Sequence, residues 1–272
     1  MTVKKVWAVY FSGTGTTKKT VDRIAHRLAE ALGTDCEVYD YTLPAARRQE
    51  LTIPSGDVAV VGCPTYAGRV PNLLMPYLRD MVHGEGALAV PVVLFGNRNY
   101  DDALMELSQL LTADGFSCVA GGAFVGEHSF SRTLGAGRPS GADVGEMDVF
   151  AEHVAAKLVA GDTAPVTVGG CDPIRPYYTP RDRHGDSINI LKVKPKTDVT
   201  KCGGCGLCAA RCPMGSIDPA DVSRVNGVCI KCGACVKGCP SGAKYFDDPG
   251  YLYHKSELEE LYARPAKNEV FL

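Results

Sequence analysis

Eight of the twelve cysteines lie between residues 202 and 239 and repeat one spacing twice. The two runs are Cys202-x2-Cys205-x2-Cys208-x3-Cys212-Pro213 and Cys229-x2-Cys232-x2-Cys235-x3-Cys239-Pro240. Thiolates at such short intervals can bind successive corners of a metal centre, and the glycines between them let the backbone approach it. Structural zinc is the alternative, but zinc sites usually join two separated C-x2-C pairs across a longer spacer. Four cysteines within eleven residues, twice over, therefore argue against zinc.

A second stretch suited to chemistry is the hydroxyl-rich turn FSGTGTTKK, residues 11–19. It follows an apolar run and precedes a helical pattern, so it is expected at a β–α junction. Its glycines let backbone amides converge, its hydroxyls can donate hydrogen bonds, and a helix N-terminus favours an anion. A phosphate monoester fits these groups, and a capped turn without a ligand is the alternative. The phosphate-loop candidates are Ser12, Gly13, Thr14, Gly15, Thr16 and Thr17.

Two other nucleotide-binding patterns fit this turn less well. The Walker pattern G-x-x-x-x-G-K-[ST] is absent, and a Rossmann fingerprint needs a small residue where Lys18 stands. Asp40, at the end of the second predicted strand, does stand where a ribose-binding carboxylate would be. A dinucleotide site is therefore weakened as an interpretation but stays open.

Five strand-like segments alternate with helical patterns through the first 160 residues. Most of these strands are continuous apolar runs, which are typical of parallel strands buried on both faces. Helices are predicted before residue 32, after residue 71, over about 101–113 and around 147–158. The alternation predicts an α/β fold with a doubly wound, five-stranded parallel sheet in the order 2-1-3-4-5, whose ligands bind beyond the carboxyl ends of the strands. The predicted strands are residues 5–11, 36–41, 57–63, 88–96 and 117–125.

The turn SGTGTT resembles the S/T-x-T-G-x-T phosphate loop of flavodoxins. Two further loops, GCPTYAGRVP after strand 3 and FGNRNYDD after strand 4, stand where that family encloses the ring of FMN. The resemblance implies FMN as a cofactor and Tyr66 and Tyr100 as stacking candidates, although each could be an ordinary loop tyrosine. The ring-enclosing candidates are Pro64, Thr65, Tyr66, Ala67, Gly68, Arg69, Gly96, Asn97, Arg98, Tyr100 and Asp101.

Arg69 and Arg98, one in each ring-enclosing loop, suggest how a flavin potential could be set. A cation near the N1/C2-carbonyl edge stabilises the anionic reduced ring and raises its potential, on the order of a few kcal/mol if desolvated. The alternative is that both guanidinium groups face solvent or pair with Asp101 or Asp102. Substituting each arginine by Gln and measuring the flavin potential tests the hypothesis.

The loop after the fifth predicted strand, about residues 126–150, is long and rich in small residues. A loop of this kind is either a functional lid or flexible. Within it, His128, Ser129 and Ser131 could reach the flavin or its substrate, or could simply form local hydrogen bonds.

The cysteine runs resemble those of bacterial ferredoxins that carry two [4Fe-4S] clusters, over about residues 200–248. In that family three close cysteines bind one cluster and the fourth binds the other. Residues 200–247 contain six basic and three acidic residues, a departure from the acidic surfaces of typical relatives. This departure suggests a redox partner with an acidic docking face, or a solvated surface that partly neutralises the clusters. The resemblance implies that Cys202, Cys205, Cys208 and Cys239 bind one cluster and that Cys229, Cys232, Cys235 and Cys212 bind the second.

Composition and motifs divide the chain into four parts. Residues 1–160 are predicted to form the FMN-binding domain and residues 199–248 a small α+β ferredoxin domain. Residues 161–198, rich in Pro, Gly and Asp, are interpreted as a linker. Residues 249–272 are a C-terminal extension whose helical pattern places Leu258, Leu261 and Tyr262 on one face. The extension is expected to pack against a domain or to form a dimer contact, so the oligomeric state stays open.

Charge and hydropathy limit the classes of partner. A formal net charge of -2 gives no basis for nucleic-acid binding. The sequence contains no run of about eighteen apolar residues that could span a membrane, and no leader-type cleavage site follows its first residues. We therefore expect a cytoplasmic protein, in which clustered cysteines bind metal rather than form disulfides.

A flavodoxin-like domain joined to a two-cluster ferredoxin is a pairing known from anaerobic bacteria and archaea, and it implies electron transfer. No second nucleotide fold is evident, so electrons are expected to be exchanged with redox partner proteins at the clusters. The alternative is a flavin-dependent reductase acting on a quinone, an oxidised metal cofactor or another small acceptor, which a ligand-sized pocket over the flavin would favour. A binding module with redox-inert clusters is a third possibility. The sequence identifies no catalytic residue.

Overall fold

The computed structural model of the protein describes residues 2–272. The strands are β1 (Lys5–Tyr10), β2 (Asp35–Asp40), β3 (Leu51–Pro54), β4 (Val58–Pro64), β5 (Val82–Glu85), β6 (Leu88–Phe95), β7 (Ser117–Cys118), β8 (Gly121–Val125), β9 (Lys196–Thr197), β10 (Lys244–Tyr245) and β11 (Glu269–Phe271). The helices are α1 (Thr16–Leu32), α2 (Met75–Met81), α3 (Ala103–Ala113), α4 (Gly141–Val159), α5 (Leu207–Ala210), α6 (Ala234–Lys237) and α7 (Pro249–Leu261).

The main sheet has the order β11-β8-β6-β4-β1-β2, with β7 paired to β6. From β2 to β8 all neighbours are parallel, whereas β11 pairs antiparallel with β8. The parallel strands β1, β2, β4, β6 and β8 lie in the order 2-1-3-4-5, as the alternation predicted. The predicted count of five was too low, because within residues 2–272 the sheet has seven strands. Residues 117–125 divide into two short strands, and the C-terminal segment supplies β11.

Helices cover both faces of this sheet, which explains the continuous apolar strands. Alternate residues of a strand point to opposite faces. Val60 and Phe124 therefore join the core beneath α1 and α4, whereas Val61 and Val93 join the core beneath α2 and α3. The structure thus confirms the doubly wound α/β prediction. No helix among residues 2–272 combines the length and apolar character needed to cross a membrane.

A buried carboxylate ties helix α4 to the C-terminal segment. Asp143, in the first turn of α4, is 2 % exposed, and Arg138 donates a hydrogen bond to each of its two carboxylate oxygens. Its Oδ1 also accepts a hydrogen bond from Asn268 at 2.8 Å, and with Ser140 it forms a reciprocal N-terminal cap. Although burial acts to raise it, the pKa of Asp143 lies below its ordinary value, because Arg138, Ser140 and Asn268 stabilise the carboxylate.

We expect Asp143→Ala to lower the free energy of unfolding by about 3–5 kcal/mol, the usual range when one partner of a buried pair is removed. The control is Asp148→Ala on the same helix, which removes a solvent-accessible pair with Arg23. That change should alter stability by no more than about 1 kcal/mol. Urea unfolding of both variants, followed by circular dichroism, measures the difference. Equal effects would show that the buried network contributes little.

Residues 196–248, the cysteine unit, form a small unit in which β9 and β10 pair antiparallel beside helices α5 and α6. Each short helix begins after a glycine with positive φ, Gly206 at 70° and Gly233 at 76°. Both glycines lie between the second and third cysteine of their run. The repeated sequence is therefore also a repeated backbone conformation, and the unit has the expected α+β character.

The segment interpreted as a linker is fixed against the α/β unit. The amide of Tyr178 donates to the Ala67 carbonyl at 2.8 Å, and the Tyr177 hydroxyl donates to the Val70 carbonyl at 2.8 Å. Residues 177 and 178 therefore lie over the loop that follows β4, where a ring-enclosing segment was predicted.

Helix α7 packs through Tyr251, His254 and Leu258. The ring of Tyr251 contacts Phe130 from the loop before α4 and stacks on Phe246 from the cysteine unit, at centroid distances of 4.6 and 4.3 Å. The extension thus packs against both units. The predicted apolar face was only partly right, because Leu261 is 64 % exposed.

Candidate functional site

The turn between β1 and α1 borders a small cavity of about 50 Å³ at the start of the helix. Gly15 has φ 93° and precedes the helix. Ser12 does not line the cavity, because its Oγ accepts from the Lys18 amide at 3.0 Å and its own amide donates to Thr42 Oγ1 at 2.8 Å. Asp40, the ribose candidate, accepts from the Thr42 amide at 2.9 Å. The predicted phosphate-loop residues that line the cavity are Gly13, Thr14, Thr16 and Thr17.

Thr65 lines the same cavity and carries an unpaired polar atom. Its Oγ1 is buried and has no hydrogen-bond partner within residues 2–272. A buried hydroxyl without a partner costs about 1–3 kcal/mol. The site therefore fits a polar ligand that reaches Thr65 from the phosphate loop.

A larger cavity of about 630 Å³ adjoins the first one. The two cavities share Thr65, Tyr66, Gly96, His128 and Ser129, so an elongated ligand could occupy both. Burial lowers the pKa of His128 to about 4, and its imidazole is therefore neutral at pH 7. The predicted ring-enclosing residues that line the larger cavity are Thr65, Tyr66, Ala67, Gly68, Gly96 and Arg98, while Pro64 lines only the smaller one.

Asn97 and Tyr100 are engaged by the C-terminal segment and do not line the larger cavity. The Asn97 side-chain amide donates to the carbonyls of Tyr262 and Arg264, at 2.6 and 3.0 Å. The Tyr100 hydroxyl donates to Glu269 at 2.6 Å. Of the two stacking candidates, only Tyr66 borders the larger cavity.

The two arginines of the ring-enclosing loops have different surroundings. Arg69 pairs with the buried Glu106 and lies outside the larger cavity. Arg98 pairs with Asp101, as the alternative interpretation had it, yet it lines the larger cavity with its guanidinium 4.6 Å from the ring centre of Tyr178. Asp101 itself lies outside the cavity lining. The hypothesis that an arginine raises the flavin potential therefore applies to Arg98 alone.

Several lining residues were missed because they come from distant parts of the chain. Tyr178 comes from the linker, Lys231 from the cysteine unit, and His254 and Leu258 from helix α7. No local pattern in the sequence marks these residues as cavity residues. Of the three loop candidates, His128 and Ser129 line the cavity, whereas Ser131 donates to Glu259 at 2.5 Å.

The eight clustered cysteines surround two separate small cavities. The fourth cysteine of each run lies with the first three of the other run, which supports the crossed assignment. Within residues 2–272, no three His, Cys, Asp or Glu side chains converge on one metal-ion position. One cavity is lined by the first cysteine set, Cys202, Cys205, Cys208 and Cys239. The other is lined by the second cysteine set, Cys212, Cys229, Cys232 and Cys235.

The thiols of the two sets have different surroundings. Burial raises the pKa of Cys232 to about 12, so this thiol needs a cationic centre to become a thiolate at neutral pH. Although burial acts to raise it, the pKa of Cys239 falls to about 7, because Ser241 and nearby amides donate hydrogen bonds to its sulfur. Cys205 is exposed to solvent. The first set therefore lies nearer to solvent than the second.

The second cysteine set packs directly against the phosphate loop. A Cβ on Gly13 would lie 2.9 Å from Cβ and 3.3 Å from Sγ of Cys232. Lys237, four residues after Gly233, pairs with Glu127 and donates to the carbonyl of His128 at 2.6 Å. Gly13 is therefore required as a glycine by close approach, and the two units meet at the cavity-bearing edge of the sheet.

Comparison with known proteins finds similarity to two parts of the chain. Residues 201–244 match the family model described as a 4Fe-4S dicluster domain. No curated protein matches the chain. A flavodoxin from Streptococcus pneumoniae TIGR4 is similar at 24% identity over 56% of this chain and 99% of its own, with a TM-score of 0.40. Two-electron reduced Megasphaera elsdenii flavodoxin is similar at 20% identity over 56% of this chain and 98% of its own, with a TM-score of 0.36.

A third similar structure is the rubredoxin oxygen:oxidoreductase of the anaerobe Desulfovibrio gigas. It shares 20% identity over 57% of this chain and 36% of its own, with a TM-score of 0.35. All three TM-scores are below 0.5, and the fold assignment therefore rests on the strand order. That order is the flavodoxin-like one, with the hydroxyl-rich loop at its switch point, where such sheets bind their ligands, and the dicluster match implies two [4Fe-4S] clusters. The chain thus joins a flavodoxin-like α/β unit to a 4Fe-4S dicluster region.

Proposed function

We propose that the protein relays electrons between a partner redox protein and FMN through its two clusters. The observation that carries this proposal is the contact between Gly13 and Cys232, which brings the phosphate loop against a proposed cluster ligand. When bound, FMN supplies a centre for one or two electrons, and each cluster supplies a one-electron centre.

The residues of the two adjoining cavities would hold FMN. Gly13, Thr14, Thr16 and Thr17 would bind its phosphate, because their hydroxyls and the helix N-terminus favour an anion. The buried Oγ1 of Thr65 would receive a hydrogen-bond partner at the junction of the cavities. The larger cavity would take the ring.

The two cysteine sets would have different roles in the relay. The second set lies against the α/β unit, with Cys232 beside the phosphate loop, so it would exchange electrons with the flavin. The first set includes the exposed Cys205, and we propose that the partner docks there. The nearby Lys201 and Arg211 are exposed, whereas Lys244 is 3 % exposed and donates to a backbone carbonyl. Lys201 pairs with Asp198, whereas Arg211 has no carboxylate partner among the described residues and supports a redox partner with an acidic docking face.

The relay is tested by anaerobic reductive titration of protein reconstituted with FMN, iron and sulfide. We expect tight FMN binding, two clusters per chain, and an uptake of two electrons by the flavin and one by each cluster. The visible spectrum separates the flavin from the clusters during the titration. Failure to bind FMN, or clusters that cannot be reduced, would refute the relay.

We expect Thr65→Val to weaken FMN binding by about tenfold, the usual size of one lost hydrogen bond. In the FMN-free protein the same change should raise the free energy of unfolding by about 1 kcal/mol, because it removes an unpaired buried hydroxyl. The matched control is Thr20→Val, since Thr20 Oγ1 is also buried without a partner but lies outside both cavities.

Isothermal titration with FMN and urea unfolding of the FMN-free protein measure the two effects. Thr20→Val should show the stability gain alone. If Thr65→Val binds FMN as tightly as the unaltered protein does, the ligand does not reach Thr65.

One observation favours the reductase as a second candidate function. The larger cavity is bounded by the linker, the cysteine unit and helix α7 as well as by the two ring-enclosing loops. A volume of about 630 Å³ lies in the range of small-molecule sites.

A further inference from the structure

The larger cavity has an inner and an outer wall. The inner wall includes residues 65–68, Gly96, Arg98 and Asn99, from the loops proposed to enclose the flavin ring. The outer wall consists of residues 177–180 and 187–191, residues 228–231, and His254 and Leu258 of helix α7. None of the outer-wall residues lines the smaller cavity beside the phosphate loop. The outer wall therefore bounds a part of the larger cavity that does not border the smaller one.

His254 is the unpaired polar group of the outer wall. It is 5 % exposed, and its Nδ1 has no hydrogen-bond partner within residues 2–272. The carboxylate of Glu257 is 3.8 Å from Nδ1, which is too far for a hydrogen bond. The imidazole lies nearly parallel to the ring of Tyr178, at 6.1 Å and 29°. A buried polar group without a partner needs an explanation, and because His254 lines the cavity, a molecule bound there can supply the partner.

The imidazole is neutral at pH 7, because burial lowers the pKa of His254. A neutral imidazole carries one N–H donor and one acceptor nitrogen. It can therefore donate to a carbonyl oxygen in the cavity without bringing a charge there.

The rest of the outer wall is largely apolar, with Ile188, Ile190, Ile230 and Leu258. No Asp or Glu is among the described residues that line the cavity. Lys231 lies in the wall, and its Nζ already donates to the carbonyls of Leu191 and Cys229 at 3.2 and 3.0 Å. Such a wall suits a flat, uncharged molecule and disfavours a cation.

We propose that the outer part of the larger cavity binds a quinone, whose carbonyl oxygen accepts a hydrogen bond from His254 and whose ring packs between Tyr178 and the isoleucines. The proposal rests on the proposed function in one respect, namely that the flavin ring occupies the inner part. Cys229 lies in the same wall, so the bound quinone lies beside the second cysteine set.

The test is the binding of menadione, a soluble naphthoquinone, to the protein loaded with FMN and both clusters, measured by equilibrium dialysis. We expect one menadione site, and we expect His254→Leu to weaken it by about tenfold, as for one lost hydrogen bond. His153→Leu is the control, because His153 is exposed on helix α4 and lies outside the cavity. Unchanged FMN and iron contents show that both variants fold. His254→Gln keeps an amide donor and should recover part of the affinity.

Three results would overturn the proposal. Menadione that binds only FMN-free protein shows that the cavity serves the flavin alone. Equal binding by His254→Leu shows that the imidazole does not contact the quinone. Methyl viologen, a flat dication, should not compete, and equal competition would show that the wall does not select against charge. If FMN fails to bind while menadione binds with the His254 dependence, the relay is refuted and the quinone site stands.

Discussion

The double variant Cys212→Ala/Cys229→Ala is expected to retain one [4Fe-4S] cluster, whereas Cys202→Ala/Cys212→Ala is expected to retain none. Cys212 follows Cys202 by ten residues but shares a cavity with Cys229. The first pair of substitutions therefore removes two ligands from one proposed cluster. The second pair removes one ligand from each.

Iron and sulfide analysis distinguishes these outcomes, with about four iron atoms per chain expected for the first double variant and close to none for the second, against about eight in the unaltered protein. Cys36→Ala serves as the control, because Cys36 lies on β2 far from both runs in the sequence. Electron paramagnetic resonance of the reduced first variant should show one type of cluster. The reverse pattern of iron contents would mean that each run binds its own cluster, and the crossed assignment would be wrong.

We expect Gly13→Ala to slow electron transfer between the second cluster and the flavin. The backbone at residue 13 accepts alanine without strain, but the added Cβ would lie 2.9 Å from Cβ of Cys232, so one of the two loops must move. Overpacking of this kind costs about 1–3 kcal/mol. Separation of the units would also admit water between them.

Laser-flash reduction of the loaded protein measures the internal rate, and isothermal titration measures FMN affinity separately. Gly141→Ala is the control, because a Cβ on Gly141 meets no atom within 4 Å and a helical position favours alanine. An unchanged internal rate in Gly13→Ala, with FMN bound, would place the route of electron transfer elsewhere.

The parallel sheet and the cysteine sets could be predicted from the sequence, because the patterns that indicate them are local. Most of the longer strands are continuous apolar runs of a few residues, and the long helices repeat their apolar residues at helical spacing. The cysteine spacing depends only on neighbours within eleven residues. Such patterns can be recognised in the sequence without knowledge of distant contacts.

The outer part of the site could not be predicted from the sequence, because it depends on contacts between distant parts of the chain. Asn97 and Tyr100 stand in the expected loop, yet residues more than 160 positions later engage their side chains. His254 looks like an ordinary surface histidine on a tail helix, and only the packing of α7 across both units buries it. One of the two strands absent from the predicted count was missed for the same reason, because β11 comes from beyond the cysteine unit.

Strand β11 has a consequence for how the chain can be cut. Its residues pair with Gly121, Gly122 and Ala123 of β8, whose other side pairs with β6. A fragment that ended before the cysteine unit would leave the backbone groups on one side of β8 unpaired, and bare strand edges recruit other chains. The α/β unit is thus discontinuous in sequence, and during synthesis its sheet edge stays uncovered until the whole cysteine unit has been made.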